Sequence, residues 1–230
     1  MPKKLPSYKG RLSSSQVAEG MTAASANAAR LAKDAQILLE NGRLPTACSL
    51  AALSIEESGK VSILRAMALA RDDNELKEEW KRYRSHTEKN VQWIIPQLVA
   101  EGVRKLDDLR PLFDKNAEHP YLLDQVKQIG FYTDCLGNEG NWSVPDEVID
   151  VELAGKLVFT ARLLSSAEPT SEREIELWVE HVGPAWKNDL NWMKRVVENW
   201  YRAMQREGLK PEGKNAMETF LHGGIDPEDV

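Results

Sequence analysis

Cysteine is nearly missing from this chain: Cys48 and Cys135 are the only two in 230 residues. Neither has a neighbour at metal-ligand spacing, which excludes zinc-finger and disulfide-framework classes. No apolar run approaches the roughly 18 residues that a membrane helix needs, so no membrane partner is expected. Met1-Pro2-Lys3-Lys4 is not followed by an apolar stretch, and no signal peptide is read there. These absences together lead to the expectation of a reduced, cytoplasmic protein. Glycine-rich phosphate loops, nucleophile elbows and zinc spacings are also lacking. The net charge of -6 excludes a chain that gathers nucleic acid by bulk charge. One stretch runs against that balance: Lys77 to Lys89 holds six Lys, Arg or His against three Glu.

What is present is helical periodicity. No strand alternation is long enough for a central sheet, so the expected class is all-α: a helical bundle with additional C-terminal helices. Residues 1–14 read as a flexible lead, 15–167 as the bundle, 168–208 as a helical extension packed on it, and 209–230 as a polar tail. Ser13 with Gln16 forms a capping-box pattern for a helix ending at Asn41-Gly42. Asn27 in this Ala-rich helix is placed to hydrogen-bond across the bundle. Pro45 suits the first turn of a second helix, to about Ala70. Asp72 caps a third, expected to run unbroken from Glu75 to Ile95, where Pro96 stops it. Short helical pieces follow near 97–103, 107–116 and 120–129. Glycines around Phe131-Tyr132-Thr133-Asp134 suggest an ordered loop with a short strand pair. Another helix starts at Pro145 and runs to about Ala167. Ser171 with Glu174 caps the last long segment, interrupted at Gly183-Pro184.

Two polar clusters interrupt the apolar patterns: Ser54-Ile55-Glu56-Glu57-Ser58-Gly59-Lys60 and Arg82-Tyr83-Arg84-Ser85-His86-Thr87-Glu88-Lys89. Charge on an apolar helix face is costly unless paired or used, so two such helices suggest a site between them. The second-helix seam passes through Ser54, Glu57 and Val61, which makes Glu57 the expected buried acid with Glu56 beside it. Lys60 can reach either. Arg82 and His86, four apart, are expected on one helical face. His86 suits general acid–base work and Arg82 a phosphate clamp, with Lys89 as an auxiliary cation. Glu56, Glu57 and Lys60 would then orient and charge-balance them. The competing reading is an ion-pair network that fixes helix register. A metal site is a weaker third, because no Glu-x-x-His occurs and the nearest acid upstream of His86 is Glu79. No cofactor and no metal are expected.

As a set, these segments resemble the AbiV family of abortive-infection proteins in the HEPN superfamily. The resemblance rests on Asn27-Ala28, Leu31 and Asp34-Ala35, and on Ala47 through Lys60. It continues with His86 and Lys89, then Gly130 through Asp134, Trp142 and Pro145. It spans roughly residues 15 to 165. It implies an up-down helical bundle, a homodimer, and a bacterial anti-phage role exerted on RNA or the translation machinery. Many HEPN proteins are metal-independent ribonucleases with an Arg and a His on one helix. Arg82 and His86 leave three residues between them, fewer than that pattern carries. The alternative is a non-catalytic protein-binding module that senses a phage protein or sequesters a host factor.

Overall fold

The computed structural model describes residues 6–114, 116–166 and 168–224. It is an all-α fold with one small hairpin. Helix α1 (Ser14–Glu40) begins at the Ser13–Gln16 capping box. It turns at Gly42 (φ 69°) into α2 (Leu44–Ala68), with Pro45 in the first turn. The two helices are antiparallel: Ser54 Oγ donates to Ala28 O at 2.8 Å, and Gly20 meets Leu64 further along. Ala32 and Ala35 pack among Ala47, Ala51 and Ala52, and these small side chains let the backbones approach closely.

Helix α2 is central. Besides α1 it touches α3 (Asp73–Arg84), α4 (His86–Lys89), α6 (His119–Phe131) and α8 (Val151–Leu164). This encirclement explains why its buried residues point in nearly every direction. The chain between α4 and α6 passes through a 3-10 turn (Val91–Ile94), α5 (Ile95–Ala100) and a second 3-10 segment (Leu106–Phe113). Strands β1 (Asp134–Leu136) and β2 (Asn141–Ser143) pair antiparallel with Cys135 opposite Trp142. Then come α7 (Pro145–Val148), α8, α9 (Glu172–Val182) and α10 (Leu190–Arg206). The last two enclose a smaller core around Trp178 and Trp200, which meet edge to face at 4.9 Å.

Four expectations are corrected. The third helix does not run to Ile95. Ser85 is extended (φ -78°, ψ 134°) and caps α4; Pro96 sits in the first turn of α5 rather than ending a helix. The helix from Pro145 likewise splits, because Asp150 accepts from Leu153 N at 2.8 Å and starts α8 afresh. The lead is held along residues 8–11: Trp80 Nε1 donates to Gly10 O, and Arg11 donates to Ala70 O at 2.6 Å. The polar tail is exposed over residues 211–214 but is anchored at Asn215 and Leu221, which are buried. Leu221 is 2% exposed, and Phe220 joins Leu98, Leu109 and Leu112. Residues 1–5 and 225–230 of the predicted lead and tail lie outside the described residues.

Candidate functional site

The site is built where α4 and α6 meet α2. Two glycines set the approach. A Cβ on Gly59 would fall 2.1 Å from Lys89 O, so only glycine lets the α4 turn lie on α2 here. A Cβ on Gly130 would fall 2.4 Å from Ser49 Oγ. Ser49 Oγ in turn donates to Lys127 O at 3.1 Å and pins α6. Between α4 and α6, Asn90 Nδ2 donates to Pro120 O, and Trp93 Nε1 donates to His119 O at 2.8 Å.

These contacts bring four ionisable side chains together around Glu56, which is only 3% exposed. Its Oε2 accepts from His86 Nδ1 at 2.7 Å and lies 3.5 Å from Lys89 Nζ. Its Oε1 accepts from Lys127 Nζ at 2.5 Å. Lys127 Nζ also pairs with Asp124 Oδ1 at 2.7 Å. The two lysines balance the two carboxylates, so the cluster is neutral with an uncharged imidazole. Lys127 Nζ approaches His86 Nδ1 at 3.3 Å as well. Nδ1 cannot both accept there and donate to Glu56. The shorter carboxylate bond places the proton on Nδ1, which leaves Nε2 as the free base. The His86 side chain is 57% exposed, so the imidazole joins a buried carboxylate to solvent.

The lysines respond differently to burial. Burial holds the Lys89 ammonium below the usual lysine pKa, with Glu56 only partly offsetting it. Burial opposes charge on Lys127 too, but hydrogen bonds to Asp124 and Glu56 outweigh it and raise its pKa.

Glu57 is not the buried acid. It lies half-buried on a neighbouring face, paired with Lys60 at 2.5 Å, and Lys60 sits 5.5 Å from the Tyr83 ring. The seam argument assumed one buried face, whereas α2 also buries the side that carries Glu56. Arg82 and His86 do not share a helix face, since Ser85 breaks the helix between them. Arg82 Nη1 instead donates to buried Glu79 at 2.7 Å, and its Nε donates to Glu88 at 3.2 Å. Asn27 accepts locally from Arg30 rather than across the bundle. Lys127 and Asp124 were missed. The signal for Lys127 was Leu123, Lys127 and Gly130 at helical spacing, all three buried.

Glu56, His86 and Asp124 offer three atoms within 4.8 Å of one another, a spacing that suits a cation. Lys127 Nζ stands among them at 2.5, 3.3 and 2.7 Å. The ammonium therefore takes the position of a divalent ion, and the triad as built does not fit a metal.

The all-α bundle, with His86 turned onto its central helix, is consistent with the HEPN class. The AbiV family model of that class matches residues 16–166. The chain belongs to the AbiV family. No curated protein and no solved structure matches it. Among the described residues, no helix is long and apolar enough to cross a membrane.

Proposed function

We propose that this protein is an anti-phage abortive-infection effector that acts on RNA, with His86 as its acid–base group. The observation that carries this reading is the Glu56–His86 hydrogen bond of 2.7 Å on a half-exposed imidazole. A buried carboxylate behind Nδ1 fixes the tautomer and stabilises the imidazolium formed when Nε2 takes a proton. For RNA that proton is the ribose 2′-hydroxyl's; the freed oxygen attacks the adjacent phosphorus, the P–O5′ bond breaks to leave a 2′,3′-cyclic phosphate, and the departing 5′-oxygen takes a proton from solvent or from the His86 imidazolium. Lys89 and Lys127 do not clamp the phosphate, because Glu56 and Asp124 engage them. Arg82, the candidate phosphate clamp, is half-exposed but paired with Glu79 and Glu88, so it must first leave them.

That neutralisation of Arg82 favours a second reading. A closed polar network with no turnover would present His86 and its surroundings as a binding surface for a phage or host protein. Expression of the wild type and His86→Ala in bacteria separates the two. Protection from phage with RNA cleavage, both lost in the variant, supports the enzyme. Protection that survives the substitution with intact RNA supports the binding module.

The proposed homodimer finds support on α8. Val151, Phe159 and Leu163 are exposed there at 67%, 61% and 47%, and a Cβ on Gly155 would meet nothing within 4 Å. If a second copy packs antiparallel about Leu157, Gly155 lies level with the partner helix's Phe159 position and Val151 with its Leu163 position. Glu152 then faces the Arg162 position. Size and charge are thus both self-complementary, as an isologous contact requires.

A further inference from the structure

A second polar cavity, which His86 does not line, lies between α1, α2, the Val91–Ile94 turn and the end of α8. It encloses about 220 Å³. Its polar lining is Ser25, Ser58, Ser62, Arg65, Gln92 and Ser166. No carboxylate lines it.

Two of these groups lack partners among the described residues. Arg65 Nε is buried with no hydrogen bond, and so is Ser58 Oγ, on a residue that is 9% exposed. The Arg65 guanidinium sits against the rings of Trp178 and Trp200, at 5.4 and 5.3 Å. The nearby acid, Glu174, is engaged by Ser171 N and Lys210 instead. Burial lowers the Arg65 pKa, countered in part by Glu174. Buried donors are ordinarily satisfied, and a buried guanidinium ordinarily meets an anion. Here Arg65 Nε and Ser58 Oγ, both without a partner, line one space with Ser25, Gln92 and Ser166, and no carboxylate of the lining receives them. Donors of this kind recognise an oxyanion rather than a cation. The space suits one tetrahedral oxyanion or several waters, each of which takes about 30 Å³.

Ser62 and Gln92 also line a neighbouring space of about 510 Å³, whose walls include Leu112, Tyr121 and Trp186 together with Arg82, Glu88, Lys89 and Asp114. An anion held at Arg65 and Ser58 therefore has room beside it for an organic body with an aromatic or apolar surface.

We propose that the Arg65–Ser58 cavity binds the phosphoryl group of a small phosphate monoester, with the organic part in the adjoining space. The site holds α1, α2 and α8 to the turn that follows α4.

The test is calorimetric titration of the full-length chain with inorganic phosphate and with adenosine 5′-monophosphate, at ionic strength matched with sodium chloride. Saturable binding of both is expected, tighter for the monoester. Arg65→Lys and Ser58→Ala should each weaken binding by about tenfold, the order expected for one hydrogen bond to a charged group. Ser58→Ala removes an unpartnered hydroxyl and should fold like the wild type, so it decides the matter if Arg65→Lys does not fold. Absence of saturation with either probe overturns the proposal, as does unchanged affinity in Ser58→Ala. Monoester binding no tighter than that of phosphate overturns the extension into the larger space.

Discussion

Glu56 and His86, thirty residues apart in sequence, share a 2.7 Å hydrogen bond between a buried carboxylate and a half-exposed imidazole. Neither helix alone could make it. Glu56 lies on the helix that α1, α3, α4, α6 and α8 all touch, and His86 begins a single turn that Gly59 admits onto that helix. The remaining charges are best understood as support for this pair, since Lys127 and Lys89 supply the positive charge that the buried Glu56 carboxylate needs.

The two lysines should prove unequal. Lys127→Met leaves Glu56 and Asp124 with one ammonium between them, and breaking a buried pair costs about 3–5 kcal/mol. Lys89→Met should cost clearly less, because burial already disfavours its charge. Urea unfolding at neutral pH measures both, and equal costs would contradict the assignment. The pH dependence follows from the signs. The Lys127 pKa is raised on folding, so its contribution is complete at neutral pH and fades as pH climbs through its folded value. The Lys89 pKa is lowered, so its unfavourable contribution is relieved as pH rises past its folded value.

Gly59→Ala tests the close approach. The added carbon would lie 2.1 Å from Lys89 O, a backbone atom that cannot swing aside. Overpacking of this kind costs about 1–3 kcal/mol. The His86 ring resonances should move in the NMR spectrum. A variant of wild-type stability with unmoved resonances would show that α4 does not rest on α2 as described.

How much of this was legible varies with the range of the signal. Helix starts at Ser13, Pro45, Asp72 and Ser171 were readable because each rests on contacts within four residues. Ser85 with Glu88 is the same kind of signal. It was overlooked because Trp80, Tyr83 and Thr87 continue a helical stripe straight through it. Choosing Glu56 over Glu57 required knowing that α2 is surrounded, which no single-helix pattern reveals. Lys127 joins Glu56 across 71 residues. Its position on a buried stripe could be read, but its partner could not.

On α8, Phe159→Glu should abolish self-association. Facing copies would then place like charges against an apolar face, and sedimentation should report a monomer of unchanged helicity. Dimerisation that persists would place the contact elsewhere.

Glu75 offers a test on the acid side. Hydrogen bonds from the Arg71 side chain and backbone hold its pKa at about 2. A lowered carboxylate pKa stabilises the fold above the unfolded value, and the effect is lost as pH falls through the folded one. The difference in Tm between wild type and Glu75→Gln should therefore be largest near neutrality and shrink between pH about 4 and 2. A difference constant across that window would mean that Arg71 does not engage the carboxylate in solution.

The central claim is that His86, braced by Glu56, moves protons on RNA. The most direct measurement is cleavage of bacterial RNA by the purified chain in the presence of a chelator, with His86→Ala and Glu56→Gln assayed beside it. The account predicts metal-independent cleavage that leaves 2′,3′-cyclic phosphate ends, abolished in His86→Ala and strongly reduced in Glu56→Gln. Cleavage undiminished in His86→Ala, or none by a wild type that still protects cells from phage, would contradict it.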